Sequence, residues 1–291
     1  MRLLAAANRR AGRAGAAILL DRLCGLLSSS GVRIEQREVE GPEQLKQLAQ
    51  QAAADDWDGL VVCGGDGIVH WAVQGLAGSR TALAVLPCGR GNDLAANLGL
   101  PGSAQSCART ILCAHTVPLD LLSSPGGWIA NVVGAGFDAE VNRLANRLPW
   151  PRGPAVYPIA LIGVLARLRP RHFQVTADGE RIWSGPAVVA VAANGPAYGG
   201  GIRIAPGARF DDGRLDLVLA NAVGRLELLR MLPRLYRGTH IGHPAVLIRQ
   251  ARRVRIESDP PAPVYADGEP FGTTPLEIET VPAALRVFKP T

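Results

Sequence analysis

The feature that constrains the fold most is a strand that ends in a run of glycines, at the start of residues 60–93. Residues 60–63 are apolar and rich in β-branched side chains, as is typical of a buried parallel strand, and Gly-Gly-Asp-Gly follows at 64–67. Residues 68–76 then have the pattern of a helix. A glycine turn between strand and helix leaves backbone N–H groups at the helix N-terminus, where the helix dipole also favours anions. The sequence therefore predicts a phosphate-binding turn.

A second strand and glycine turn follow at once. Residues 81–86 predict another strand, and Pro-Cys-Gly-Arg-Gly-Asn-Asp at 87–93 precedes another helix. Turns that follow neighbouring parallel strands lie side by side at one sheet edge, where ligands of open α/β sheets bind. We therefore expect the two turns to form one site.

The hydrophobic pattern divides the chain into two predicted domains. Strands at residues 3–7 and 31–34 alternate with helices at 16–27 and 42–54, which predicts a doubly wound α/β domain over residues 1–120. Beyond it, short strands separated by Gly and Pro predict an antiparallel β-sandwich over residues 121–291, with at most two helices, at 155–168 and 226–236. The strands predicted for this second domain are 128–133, 173–177, 187–192, 215–220, 254–257, 276–279 and 285–288.

The charge of the chain comes almost entirely from arginine. The net charge is +6, and Lys46 and Lys289 are the only lysines among the 291 residues. The arginines are either scattered, solvated side chains or a source of attraction to phosphates or an anionic membrane surface. Nucleic acid is not expected as a partner, because no dense basic run is interleaved with aromatic residues.

The cysteines and the apolar segments indicate a cytoplasmic protein. Five cysteines without CxxC spacing argue against a disulfide framework and a zinc site. The apolar segment at residues 1–7 is interrupted too early for a signal peptide, and the longest apolar stretch, 155–166, is shorter than a spanning helix requires. Any membrane contact is therefore expected to be peripheral, at the inner membrane.

Two further motifs could carry chemistry. Asp-Gly-Glu at 267–269 is either an ordinary hairpin turn or a held carboxylate. His240 and His243 have the spacing of a helical metal pair, but Gly242 and Pro244 make a helix unfavourable, so a structural role is expected for both histidines.

The order of the motifs carries a resemblance to a known family. The two glycine turns are followed by motifs at residues 131–139, 198–201, 205–206, 211–213 and 267–269. In this combination the chain resembles the diacylglycerol kinase catalytic-domain family, specifically its bacterial soluble lipid kinases and their sphingosine-kinase relatives, over nearly its whole length. The resemblance implies an ATP-binding α/β domain similar to phosphofructokinase and NAD kinase, and a β-sandwich domain. It also implies an ATP- and Mg²⁺-dependent kinase whose partner is a diacylglycerol-like lipid at the membrane surface.

The resemblance also implies site residues. Glu269 matches the family's general base, while Asp93 and Asp120 match aspartates that support the metal and phosphate network; alternatively, these two are a helix cap and a strand-end residue. Asp212 matches a magnesium ligand that acts with the backbone carbonyls of Arg209 and Arg214. The positions implied for nucleotide binding are Asn8, Gly64, Gly65, Asp66, Gly67, Ile68, Val69, His70, Gly89 and Arg90.

The nucleotide site departs from the family pattern at several positions. Ile68 and Arg90 stand where threonine is usual, His70 and Trp71 replace a small polar pair, Val39 replaces another threonine, and Asn8 lacks its following proline. Either Arg90 compensates through a charge-assisted bond to phosphate, or the nucleotide site has decayed. The alternatives to a lipid kinase are therefore an NAD-kinase-like phosphotransferase and a non-catalytic lipid- or nucleotide-binding protein. The sequence leaves open the identity of the lipid and whether the chain forms a homodimer.

Overall fold

The computed structural model describes residues 1–7, 14–147, 156–166 and 170–291, and it divides into two compact units. The first unit is Met1–Leu121 with Pro282–Thr291, and the second is Leu122–Val281. The chain passes between the units within two strands, β5 (Thr116–Ser124) and β15 (Leu276–Phe288). The range 121–291 predicted for the second domain therefore includes eleven residues that the structure groups with the first unit, Leu121 and Pro282–Thr291.

The first unit contains a parallel sheet with strand order β15-β4-β3-β1-β2. Its other strands are β1 (Arg2–Ala7), β2 (Arg33–Glu38), β3 (Gly59–Gly64) and β4 (Ala82–Pro87). Its helices are α1 (Ala14–Ser29), α2 (Pro42–Ala54), α3 (Asp66–Leu76), α4 (Asp93–Leu98) and α5 (Ala104–Leu112). Because β1 pairs with both β2 and β3, the strand order reverses there, as in a doubly wound sheet.

Helices cover the sheet of the first unit. Helices α1 and α5 pack through Leu23 and Ile111 against the strands and Phe288. Helices α2 and α3 pack so closely that a Cβ on Gly75 would lie 2.5 Å from the Ala49 Cβ. The apolar positions predicted on α2, residues 45, 48 and 52, are all buried. The predicted α/β domain is confirmed.

The second unit is built from antiparallel strands, as predicted. The long strand β9 (Glu180–Ala193) pairs with β8 through its first half and with β7 and β10 through its second half. Only residues 187–192 of β9 were expected to be a strand, because charges and Pro186 interrupt the apolar pattern before them. The remaining strands are β6 (Gly127–Ile129), β7 (Val132–Gly136), β8 (Arg171–Ala177), β10 (Leu215–Asn221), β11 (Val246–Ala251), β12 (Arg253–Asp259), β13 (Pro263–Ala266) and β14 (Glu269–Thr273).

Three expectations about the second unit were wrong. The single strand predicted at 128–133 is two strands, β6 and β7, separated by residues 130 and 131. The sequence predicted at most two helices, but α6 (Phe137–Arg147) accompanies α7 (Val156–Ala166) and α8 (Arg225–Arg237), with a short 3-10 helix at His240–Gly242. The strands predicted at 276–279 and 285–288 are one strand, β15, because it continues through Pro282. At α6 and at β15, glycine or proline near the element indicated a loop. Among helices of the described residues, none combines the length and the apolar character needed to cross a bilayer.

Candidate active site

The first glycine turn joins β3 directly to α3. Strand β3 ends at Gly64, and α3 begins at Asp66 with Gly65 as its N-cap, so the helix starts two residues earlier than predicted. No side chain in the described part of the chain caps this helix end by a hydrogen bond. The side chain of Ile68 packs on Gly64, where an added Cβ would lie 2.5 Å from Ile68 Cγ1. The turn therefore keeps a backbone-lined helix start, with Gly67 in its first turn.

The two glycine turns touch through their backbones. A Cβ added to Gly65 would lie 2.9 Å from the Gly89 Cα, and a Cβ on Gly89 would overlap the Gly65 Cα. The Cys88 N–H also donates to the Gly64 carbonyl over 3.0 Å. Glycine is required at both contact positions because no side chain fits between the turns, and the expectation that the turns lie side by side is confirmed.

Asp66 holds the second turn. Its carboxylate accepts the backbone N–H groups of Asn92, at 2.8 Å, and Asp93, at 2.6 Å. Asn92 is in the left-handed region, with φ 55°, and its Oδ1 accepts the Gly89 N–H at 2.8 Å. A Cβ on Gly91 would lie 2.5 Å from Asp66 Oδ2, so glycine also fits this position best. Asp66, predicted as part of the nucleotide loop, is thus the side chain that joins the two turns.

The other predicted nucleotide residues lie in different environments. Arg90 is exposed at the tip of the second turn, whereas Val69 and His70 are buried in α3. The His70 ring meets Trp71 edge-on and lies 3.5 Å from the Gln74 amide nitrogen. The side chains of Val69 and His70 are therefore not exposed for contact with a ligand. Asn8 lies outside the described residues.

Asp93 and Asp120 have distinct positions in the first unit. Asp93 is the first residue of α4, next to Asn92 in the second glycine turn. Asp120 lies on β5 with 4% of its surface exposed, and its carboxylate accepts the Ala283 N–H from β15 at 2.8 Å. This bond gives Asp120 a structural task, but in the middle of β5 and not at a strand end. The N-cap of α4 is Asn92 and not Asp93, so neither aspartate has the alternative position that the sequence left open.

Glu269 begins β14, directly after a two-residue hairpin loop. The loop residues Asp267 and Gly268 both have positive φ, at 50° and 86°, as a type I′ turn requires. The Asp267 carboxylate accepts three backbone N–H groups, those of Ala130 and Asn131, each at 2.9 Å, and Val132 at 3.1 Å. Glu269 itself is partly exposed. A rigid turn therefore presents the predicted base.

The sequence predicted Asp267 only as a turn residue and did not predict that its carboxylate accepts the backbone N–H groups of residues 130–132. The sequence signals that could have suggested this contact were the Asp-Gly pair of the hairpin turn and the motif that begins at Asn131. No local pattern relates these two segments, because their pairing follows from the contact between β7 and β13.

The Asp212 loop lies before β10. Asp212 Oδ1 accepts the Arg214 N–H at 3.0 Å, and Oδ2 lies 3.4 Å from the Gln250 amide nitrogen. The Arg209 side chain pairs with Asp211 at 3.0 Å. Burial raises the pKa of the nearby Asp216, and the charge of Asp212 raises it further. No group of three His, Cys, Asp or Glu side chains placed to hold a metal occurs among the described residues.

The two histidines of the HxxH motif have separate partners. His240 is buried, and its Nε2 lies 2.9 Å from the Ile204 carbonyl oxygen; burial lowers its pKa. His243 pairs with Glu227 at 3.2 Å. These contacts agree with the structural role expected for the pair.

Comparison with known proteins shows the family to which the chain belongs. A family model described as the diacylglycerol kinase catalytic domain matches residues 2–124, and one described as the YegS C-terminal NAD kinase beta sandwich-like domain matches residues 131–289. A diacylglycerol kinase of Mycobacterium tuberculosis is 38% identical over 251 residues, which cover 84% of this chain and 81% of the relative. The chain belongs to the diacylglycerol kinase family. As a family member with the catalytic domain, it is a kinase.

More distant similarities agree in fold. A diacylglycerol kinase of Bacillus subtilis is 27% identical over 246 residues, covering 83% of this chain and 81% of the relative. The crystal structure of a diacylglycerol kinase from Bacillus anthracis has a TM-score of 0.76 at 23% identity, covering 99% of this chain and 96% of the other. The structure of an NAD kinase from Archaeoglobus fulgidus in complex with ATP has a TM-score of 0.54 at 13% identity, with coverage of 99% and 94%. The predicted combination of a nucleotide-binding α/β domain and a β-sandwich is confirmed.

Proposed function

We propose that the protein is an ATP- and Mg²⁺-dependent lipid kinase that transfers the γ-phosphate to the hydroxyl of a diacylglycerol-like lipid at the inner membrane surface. The observation that carries the proposal is the interlocked pair of glycine turns in a member of the diacylglycerol kinase family. The relatives named diacylglycerol kinase support a lipid acceptor.

The glycine turns would bind the phosphates of ATP through backbone N–H groups. The start of α3 contributes its dipole, and glycine lets the phosphates approach the backbone closely. The exposed Arg90 adds a charge-assisted hydrogen bond, which is roughly twice as strong as a neutral one, and so offsets the hydroxyl that Ile68 lacks. Asp66 positions the second turn instead of contacting the nucleotide, since a carboxylate facing phosphate would repel it.

The Asp212 loop fits a partly hydrated magnesium ion. One N–H and one long amide contact occupy only part of the hydrogen-bonding capacity of the Asp212 carboxylate, which has about four acceptor positions. The backbone carbonyls of Arg209 and Arg214 would add hard oxygen ligands, and the Arg209 guanidinium is directed to Asp211. When bound, magnesium neutralises charge on the transferred phosphoryl group.

Glu269 would accept the proton of the lipid hydroxyl as that oxygen attacks the γ-phosphate. Its position at the first residue of β14 fixes its backbone, and Asp267 holds the preceding turn through three hydrogen bonds. Asp93 and Asp120 would support the phosphate network, Asp93 from the second turn and Asp120 by fixing β5 against β15.

Transfer of labelled phosphate from Mg-ATP into a total bacterial lipid extract tests the proposal. The unmodified protein and Glu43→Gln, a control at an exposed position on α2, should form the same labelled lipid. Glu269→Gln should lower the rate by at least about a hundredfold, within the usual contribution of a general base, with ATP affinity nearly unchanged. Equal rates for Glu269→Gln and the unmodified protein would show that this carboxylate is not the base.

A second candidate function is phosphorylation of a soluble dinucleotide. It is favoured by the fold similarity to the NAD kinase and by the yeast NADH kinase complexed with NADH, whose TM-score is 0.55 at 10% identity. The same assay with NAD as acceptor separates the two functions. Labelled dinucleotide without labelled lipid would replace the lipid kinase, whereas failure to bind Mg-ATP at all would indicate a non-catalytic protein.

A further inference from the structure

Helix α8 (Arg225–Arg237) is fixed to the second unit by one apolar face. Met231 is buried, and Leu235 packs on the cluster that contains Val191 and Val218. The Leu235 carbonyl also accepts the Arg203 N–H at 3.1 Å. Leu228 and Leu232, on the same side of the helix as these residues, are partly buried.

The helix has a second apolar face that points to solvent. Leu226, Leu229 and Tyr236 are 63%, 46% and 55% exposed, and Pro233 is exposed as well. With about 100° between successive residues, these four positions fall within an arc of about 80°, whose centre lies about 130° from the centre of the buried face. Single exposed leucines are ordinary on a protein surface, but a continuous stripe marks an interaction site.

Arginines border this stripe on both sides. Arg225 lies at one edge, and Arg230, Arg234 and Arg237 lie along the other. The one acidic residue of the helix, Glu227, pairs with His243. Among the described residues, the arginines that form ion pairs lie outside α8; examples are Arg249 with Glu180 and Arg253 with Glu279. The exposed face of α8 is therefore apolar at its centre and positive at its rim.

We propose that the exposed face of α8 docks the protein on an anionic lipid surface. Leucine and tyrosine side chains would enter the boundary between headgroups and acyl chains, while the guanidinium groups meet lipid phosphates. A second copy of the chain fits this face less well, because a two-fold contact would bring the two sets of arginines together. The inference deepens the proposed function and depends on it for its biological meaning, but the docking itself requires neither nucleotide nor reaction.

Co-sedimentation with vesicles, in the absence of nucleotide, tests the docking surface. The protein should bind vesicles of phosphatidylcholine with phosphatidylglycerol more strongly than phosphatidylcholine alone, and added salt should weaken this binding. Leu229→Glu should lower the partition coefficient at least about tenfold. The double substitution Arg230→Gln with Arg234→Gln should lower it about 25-fold, since each arginine near such a surface contributes roughly fivefold.

The control variants make the same kinds of substitution at exposed positions outside α8. Ile18→Glu alters an exposed apolar side chain on α1, and Arg33→Gln with Arg80→Gln removes two exposed arginines from the first unit. These controls should bind vesicles like the unmodified protein. Circular dichroism and thermal melts of all variants should match, because every altered side chain is exposed.

The docking inference is overturned if the unmodified protein does not bind anionic vesicles, or if the α8 variants bind them as well as the controls do. It is overturned as well if Leu229→Glu unfolds the second unit. It is also overturned by a dimer that Leu229→Glu dissociates, which would assign the face to a second copy. Vesicle binding that depends on α8, without any labelled lipid in the kinase assay, refutes the proposed reaction and leaves the docking surface standing.

Discussion

A methyl group at Gly89 has no room between the two glycine turns, so Gly89→Ala should separate them. The added Cβ would overlap the Gly65 Cα and would lie 3.0 Å from the Gly65 nitrogen and 2.8 Å from Asn92 Oδ1. Gly89 has no positive φ, so the effect comes from this contact and not from backbone strain. The atoms in the way are largely backbone, which cannot rotate aside as a flexible side chain can.

The size of the effect follows from the contacts that must change. Overpacking costs about 1–3 kcal/mol, and losing the hydrogen bond from the Gly89 N–H to Asn92 Oδ1 costs roughly 1 kcal/mol more. We therefore expect the free energy of unfolding to fall by about 3 kcal/mol, or roughly 10 °C in the melting temperature. ATP affinity should fall more than about tenfold, because weakening the binding free energy by about 1.4 kcal/mol already produces that change.

Thermal melting and ATP titration by calorimetry measure both effects, with Gly102→Ala as the control. A Cβ at Gly102 would have no heavy atom within 4 Å, and its φ is not positive, so that variant should behave like the unmodified protein. If Gly89→Ala matched Gly102→Ala in both measurements, the close packing of the turns would not govern stability or nucleotide binding, and the reasoning would fail.

Two further predictions concern the second unit. Asp267→Asn replaces a carboxylate that accepts three backbone N–H groups with an amide whose NH₂ group cannot accept a hydrogen bond. The free energy of unfolding measured in urea should therefore fall by about 2–4 kcal/mol. A change below about 0.5 kcal/mol would show that these three hydrogen bonds do not stabilise the second unit. Burial lowers the pKa of His240 below 6.5, its usual value. As the pH falls, the unfolded chain therefore binds a proton at this histidine before the folded protein does. The contribution of His240 to the free energy of unfolding is fully present above pH 6.5. It declines as the pH falls through 6.5 toward the lower folded pKa, by at most ~1.4 kcal/mol per pH unit. His240→Gln keeps a donor for the Ile204 carbonyl and should remove this part of the slope in urea titrations; an unchanged slope would assign it to other groups.

The parts of the structure that local patterns encode were predictable. A strand followed by glycines and a helix is encoded within a short local segment, so both glycine turns and the buried face of α2 followed from the sequence. The Asp-Gly turn before Glu269 was equally local. Helix α6 was missed because the glycine-rich motif that leads into it indicated a loop. The packing of residues 137–147 within the second unit therefore outweighed what the local sequence pattern indicated.

The roles that could not be predicted depend on contacts between distant segments. Asp66 accepts N–H groups from residues 26 and 27 positions later, and Asp267 accepts N–H groups from residues more than 130 positions earlier. A carboxylate in a glycine motif or a turn has the same local pattern whether it contacts ligand or backbone. Only the pairing of the strands decides which N–H groups it meets.

The same contacts bear on whether the departures from the family pattern mean a decayed nucleotide site. Ile68 replaces a hydroxyl, yet its side chain packs on Gly64 and so supports the start of α3. The contacts that hold the turns together, from Gly65 to Gly89 and from Asp66 to residues 92 and 93, are all present. The close packing of the turns is therefore intact despite these departures. We propose that the site binds phosphate, with the exposed Arg90 in place of the missing hydroxyl groups.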